Sequence, residues 1–126
     1  MDKSSDNISQ RKNYKSDGDY FINLANEKLN TVPSMIALEV TTKCPLNCSY
    51  CKRKYSPSYN QNLSRERFKV LAEKLASFEK IMFCGLGEPF IDPDIYSYIS
   101  LIPDKKVTIV TSGILDIDFK RLNKAG

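Results

Sequence analysis

The sequence predicts an α/β fold: one parallel sheet made of three βα units. Three observations point there. Apolar runs of strand length begin at Met35, Ile81 and Val107, and stretches with apolar residues at helical spacing follow them. Such alternation of strand and helix is the mark of parallel pairing through right-handed crossovers. The residues that could carry chemistry all fall directly behind a strand, where open α/β sheets hold their ligands.

Residues 1 to about 19 are rich in Ser, Asp, Asn and Lys and almost devoid of aliphatic side chains. They cannot bury enough surface to offset the entropy of ordering, and read as a disordered tail. Tyr20, Phe21, Leu24 and Leu29 suggest a short amphipathic helix ahead of Pro33. Residues 1–33 are thus set apart from a core domain at 34–126. Met35 to Val40 forms the first strand, with the loop from Thr41 onward at its carboxyl end. Ser64 is a helix N-cap, and Phe68, Leu71, Leu75 and Phe78 make one apolar stripe that faces the core. Ile81 to Cys84 is the second strand. The next helix starts at Asp92 or Pro93, carries Ile95, Tyr96, Ile99 and Ile102, and is ended by Pro103. Val107 to Thr111 is the third strand, and Phe119 to Lys124 opens a third helix.

Behind the first strand stands Cys44-Pro45-Leu46-Asn47-Cys48-Ser49-Tyr50-Cys51, three of the chain's 4 cysteines. Random placement yields roughly 0.002 such triplets per chain, so the spacing is a signal. Three thiolates this close can hold three irons of a cubane cluster and leave the fourth open, whereas clusters that only carry electrons normally take four protein ligands. Open metal sites are the catalytic ones. Zinc remains an alternative, although with no His in the chain its fourth donor must be Cys84 or a carboxylate. A disulfide needs an oxidising compartment, and the N-terminus Met-Asp-Lys-Ser-Ser-Asp lacks the apolar segment of a secretory signal.

Behind the second strand comes Cys84-Gly85-Leu86-Gly87-Glu88-Pro89, a glycine-rich turn with one carboxylate. Glycines there suit close backbone approach to a ligand, or simply a turn. Glu88 can accept hydrogen bonds from an ammonium, or can be a solvated turn residue. Behind the third strand comes Thr111-Ser112-Gly113, an ordinary turn sequence on its own.

Together these segments resemble the radical S-adenosylmethionine (radical SAM) superfamily. Cys44, Cys48 and Cys51 match its CxxxCxxC motif, and Gly85, Gly87, Glu88 and Pro89 match its GGEP motif with Leu86 inserted. Thr111-Ser112-Gly113 resembles its TNG signature. Order and spacing agree across about 70 residues. The resemblance implies the first half of a partial (βα)6 TIM-like barrel, a [4Fe-4S] cluster on the three cysteines, and S-adenosylmethionine chelated at the open iron. Reductive cleavage of that cofactor would release a 5′-deoxyadenosyl radical that abstracts hydrogen from a substrate, the cofactors doing the hard chemistry. It also implies roles at individual positions: Tyr50 near the adenine, Gly85 and Gly87 at close approach, Glu88 on the methionyl ammonium, Pro89 completing the motif and Ser112 reaching the cofactor. Packing is the plain alternative for Tyr50. Cys84, outside the triplet, reads as a small buried hydrophobe.

An electron donor such as a flavodoxin or ferredoxin is the implied partner. The stretch from Ile36 to Val40, with GLGEP and Asp92-Pro93-Asp94, looks most like members that carry a C-terminal SPASM-type cluster domain, which these residues do not include. Family barrels continue through three further βα units, so the chain is expected to be a truncated or split core, incomplete without a second polypeptide. A non-catalytic iron-sulfur or zinc module and a small electron-transfer protein stay open as alternatives.

Composition bounds the remaining partners. Net charge is +4, and 41% hydrophobic content over 126 residues suits one small core. Lys52-Arg53-Lys54, interleaved with Tyr50, Tyr55 and Tyr59, has the ingredients of a nucleic-acid patch. A short basic loop beside an anionic cluster reads better as a solvated or cluster-facing surface, so nucleic acid is not expected. No apolar stretch approaches the roughly 20 residues of a membrane span, and a cytoplasmic location follows, where thiols stay reduced.

Overall fold

Parallel pairing brings the three apolar runs into one sheet of order β1-β2-β3, in which β1 is Met35–Leu38, β2 is Lys80–Phe83 and β3 is Lys106–Ile109. A computed structural model describes residues 33–56 and 60–125. The suggested helix at Tyr20 to Leu29 and the tail before it lie outside the described residues. Ile36 pairs with Ile81 and Leu38 with Phe83, while Ile81 pairs with Val107 and Phe83 with Ile109. Because side chains alternate, these residues share one face, and that face builds the core. The opposite face, with Met35, Ala37 and Thr108, is exposed.

Three helices cover the core face: α1 Arg65–Lys74, α2 Ile95–Ser100 and α3 Phe119–Ala125. Ser64 caps α1 as expected, its hydroxyl accepting from the Arg67 N–H at 3.2 Å. The α1 stripe delivers Phe68, fully buried, between Phe83 at 6.1 Å edge-on and Tyr98 at 4.4 Å stacked. Side chains of this size contribute about 1.5–3 kcal/mol each on full burial. Leu75, Ile81, Ile95, Ile99 and Ile102 complete the interior.

The elements are shorter than the apolar runs, for local reasons. β1 ends at Leu38 because the chain then leaves the sheet to meet residues 61–63. The Val40 carbonyl accepts from Leu63 N–H at 2.7 Å, Thr42 N–H donates to Gln61 O at 2.9 Å, and Thr41 bridges Asn62 in antiparallel fashion. α2 starts at Ile95 because Asp92 to Asp94 form a turn, with Asp94 N–H donating to Asp92 Oδ1 at 3.0 Å. Among the described residues no helix is long and apolar enough to cross a membrane.

Candidate cluster and cofactor site

All three motif segments sit at the carboxyl ends of the strands. Behind β1, Thr41 and Thr42 are buried and tie the chain down: Thr41 Oγ1 donates to Asn62 Oδ1 at 2.7 Å, and Gln61 N–H donates to Thr42 Oγ1 at 2.9 Å. The loop beyond carries Cys44, Cys48 and Cys51, each partly exposed and each a free thiol. Cys51 N–H donates to Cys48 O at 3.2 Å, closing a turn between the last two. Beneath the loop lies Arg53. The short 3-10 turn Lys52–Tyr55 turns it inward to 6% exposure, while Lys52 and Lys54 point to solvent. Its guanidinium donates to Asn60 Oδ1 at 3.1 Å, Leu46 O at 3.3 Å and Thr42 O at 3.5 Å. The basic stretch is therefore only two-thirds surface.

Behind β2, the glycine turn folds onto the entrance of that loop. A Cβ on Gly87 would lie 2.1 Å from the Thr41 carbonyl oxygen and 2.8 Å from that of Lys43. Only glycine fits this approach, and it lets Glu88 N–H donate to Lys43 O at 2.8 Å. Gly85 is crowded by a side chain instead, since its Cβ would meet Glu39 Oε1 at 2.3 Å. The same Glu39 oxygen accepts from Leu86 N–H, so the inserted residue is held by β1's own end.

Behind β3, Thr111 and Ser112 converge on Glu88. The Glu88 side chain is 2% exposed. Its Oε1 accepts from the Thr111 hydroxyl at 2.7 Å and Phe90 N–H at 3.3 Å; its Oε2 accepts from Ser112 N–H at 2.7 Å and the Ser112 hydroxyl at 2.6 Å. Burial pushes the carboxyl pKa up, but these donors, Ser112 foremost, outweigh it and hold it below the ordinary value. Gly113 follows with φ of 71°, in the left-handed region that favours glycine. Pro89 is buried as the first residue of the 3-10 turn Pro89–Ile91, which Glu88 caps.

One expected placement differs, and one alternative drops out. Cys84 is partly exposed rather than buried, because β2 ends one residue before it and the chain is turning into the glycine segment. Tyr50 is 86% exposed and belongs to no core. Sequence reasoning missed three participants: Glu39, Arg53 and Asp92. For Arg53 a signal existed, since among three adjacent cations only Arg has the planar fork suited to several carbonyls. Asp92 is 1% exposed, and burial raises its pKa above the ordinary value against the hydrogen bonds from Asp94 N–H and the Tyr98 hydroxyl.

The radical SAM superfamily model matches residues 38–126, which includes every segment just described. The chain belongs to the radical SAM superfamily. It is 33% identical over 86 residues to a probable GTP 3′,8-cyclase of Methanocaldococcus jannaschii, covering 64% of this chain and 28% of that protein. It is 32% identical over 84 residues to a probable dual-specificity RNA methyltransferase RlmN of Treponema denticola, covering 56% of this chain and 24% of that one. The chain thus spans about a quarter of these curated relatives. Among solved structures, BtrN in complex with AdoMet and 2-DOIA superposes with a TM-score of 0.66 at 26% identity, over 76% of this chain and 43% of BtrN. The α/β sheet of this radical SAM chain is accordingly part of a barrel-type fold.

Radical SAM proteins generally carry a 4Fe-4S cluster and S-adenosylmethionine, and the donor chemistry here fits. Three soft thiols on one loop, without histidine in the chain, suit iron and sulfide. Among the described residues no three His, Cys, Asp or Glu side chains are already gathered as a single-ion site. The loop supplies the donors, and their convergence is left to the cluster itself.

Proposed function

We propose that the chain holds a [4Fe-4S] cluster on Cys44, Cys48 and Cys51 and S-adenosylmethionine beside it, as the cluster-bearing part of a radical SAM enzyme. The observation that supports this most is the joint between the first two motifs. Gly87 packs on the Thr41 and Lys43 carbonyls and Glu88 N–H bonds Lys43 O, so the carboxylate turn is registered to the residue just before Cys44.

When bound, the two groups would supply an electron and a carbon-sulfur bond whose reductive cleavage gives a 5′-deoxyadenosyl radical. The residues of the chain bind and orient. Three thiols for four irons leave one position for a non-protein ligand. Glu88, kept anionic at neutral pH by its donors, is suited to an ammonium. Its four sites are already taken, so the Thr111 and Ser112 hydroxyls must rotate from donor to acceptor to admit one, while Ser112 N–H keeps the carboxylate in place. Gly85 and Gly87 keep the turn flat for close approach, Pro89 fixes its exit, and exposed Tyr50 is free to swing over an aromatic ring. A low-potential donor such as a flavodoxin or ferredoxin would reduce the cluster in a reducing compartment such as the cytoplasm. Among the described residues both outer strands have an unpaired edge, which suits completion of the barrel by further strands, including those of a second polypeptide.

The test is anaerobic reconstitution with iron and sulfide, followed by absorbance with and without S-adenosylmethionine and by 5′-deoxyadenosine release under strong reductant. The expected result is one cluster per chain, a spectrum perturbed by the cofactor, and little release from these 126 residues alone. Zinc in place of iron would overturn the reading in favour of a four-cysteine zinc module. A cluster indifferent to the cofactor would favour an electron-transfer protein.

A further inference from the structure

We propose that Arg53 is the positioning residue of the cysteine loop: its guanidinium fork fixes the arc from Thr42 to Leu46 before iron arrives, so that the cluster has less of the loop to order when it draws the thiols together. The inference deepens the cluster reading above and rests on it. A guanidinium at 6% exposure is costly to bury unless its donors are satisfied. Here two of its hydrogen bonds go to the loop that carries the thiols. Nη1 reaches the Thr42 carbonyl, two residues ahead of Cys44, and Nη2 reaches the Leu46 carbonyl, midway between Cys44 and Cys48.

The third contact anchors the fork from the other side. Asn60 offers Oδ1 at 3.1 Å from a backbone with φ of 57°, a left-handed conformation that asparagine tolerates better than most residues. Asn60 in turn precedes Gln61, which is bonded to Thr42. Arg53 itself is held by its own turn, where Ser56 N–H donates to Arg53 O at 3.0 Å. One planar side chain thus links the entrance, the middle and the exit of the loop. A lysine cannot do this: its ammonium is a compact point charge without a rigid fork.

The experiment uses the full chain, reconstituted anaerobically, as wild type, Arg53→Lys, Arg53→Ala and Asn60→Gly. The readouts are iron and sulfide per chain, the rate of iron loss to a chelator, and the melting of the metal-free protein. Losing one charged hydrogen bond to the loop should speed iron loss roughly tenfold. Arg53→Lys should show the same defect as Arg53→Ala, since the charge stays and the fork goes. Asn60→Gly removes the acceptor without straining the backbone and should show a smaller acceleration. Wild-type rates in Arg53→Lys would overturn the proposal, because charge alone would then suffice. So would metal-free proteins that melt lower but, once loaded, retain iron like wild type, which marks a role in the fold only. If Arg53→Ala does not fold, the Lys and Gly variants decide. A wild type that takes up no cluster would instead overturn the reading on which this one rests.

Discussion

Replacing Gly87 with alanine probes the joint between the cysteine loop and the carboxylate turn. The added Cβ would lie 2.1 Å from the Thr41 carbonyl oxygen, against the 3.0 Å below which real Cβ atoms essentially never approach, so the two segments must part by at least 0.9 Å. The obstacle is backbone on both sides, at Thr41 and Lys43, and cannot swing away. Overpacking of this kind costs about 1–3 kcal/mol. The Glu88 N–H to Lys43 O bond, now 2.8 Å, would stretch beyond hydrogen-bond range and forfeit about 0.5–1.5 kcal/mol more. At roughly 3–6 °C per kcal/mol for a chain of this size, melting should fall by about 5–27 °C. Displacing the turn that carries Glu88 should also weaken cofactor binding, by roughly tenfold for the loss of one charge-assisted hydrogen bond. Gly85→Ala should also destabilise, but for other reasons: its φ of 159° is one that L side chains rarely adopt, and the added Cβ would meet the Glu39 side chain at 2.3 Å. Thermal melts of the metal-free proteins and calorimetric titration with S-adenosylmethionine after reconstitution check both effects. If Gly87→Ala melts within about 2 °C of wild type and binds cofactor equally well, the joint is not rigid and the registration argument fails.

Single alanine substitutions at Cys44, Cys48 or Cys51 should each abolish the cluster, measured as iron and sulfide per chain, while Cys84→Ala keeps it. Glu88→Gln should leave cluster content unchanged and weaken S-adenosylmethionine binding roughly ten-fold or more by calorimetry, by loss of a charge-assisted bond. Because the Glu88 pKa is held below 4.5 in the fold, its stabilisation is complete above that value and lost as pH falls through the folded pKa; acid melts should show that loss in wild type and not in Glu88→Gln. Asp92 runs the other way: its pKa is raised above 3.8, so its contribution is full in acid and declines as pH rises through the folded value. Asp92→Asn should therefore melt no lower than wild type at neutral pH. The Tyr98 hydroxyl lies within reach of both Leu63 O and Asp92 Oδ2, and an amide at 92 can donate to it while it donates to Leu63. A drop of several degrees in that variant would show that the buried charge is needed.

The strands and helices were legible because period-2 and period-3.6 patterns are local. Ser64, the α1 stripe and the three strand starts can each be read within a few residues, and the placement of Cys44, Gly87 and Ser112 at strand ends followed from the order of elements. What could not be read depends on contacts across the chain. Glu39 and Leu86 are 47 residues apart, and nothing near Glu39 tells that its carboxylate will hold the glycine turn. Arg53 is chemically unlike Lys52 and Lys54, but its inward direction depends on a 3-10 turn that no periodicity announces. Asp92 read as a helix start; that it is buried on the Tyr98 hydroxyl follows only once α2 packs beside Leu63.

The crossing of residues 40–42 with 61–63 gives the cysteine segment a closed neck. Bringing together the ends of a loop of about 20 residues costs on the order of 3 kcal/mol in chain entropy. Four hydrogen bonds at the neck, from Leu63 to Val40, Thr42 to Gln61, Gln61 to Thr42 and Thr41 to Asn62, contribute about 2–6 kcal/mol together and are enough to meet it. Metal binding is then relieved of closing the loop, a cost that small zinc domains draw from their ion. The segment behaves as a cassette clipped at its base, so that what iron must still organise is its interior and not its ends.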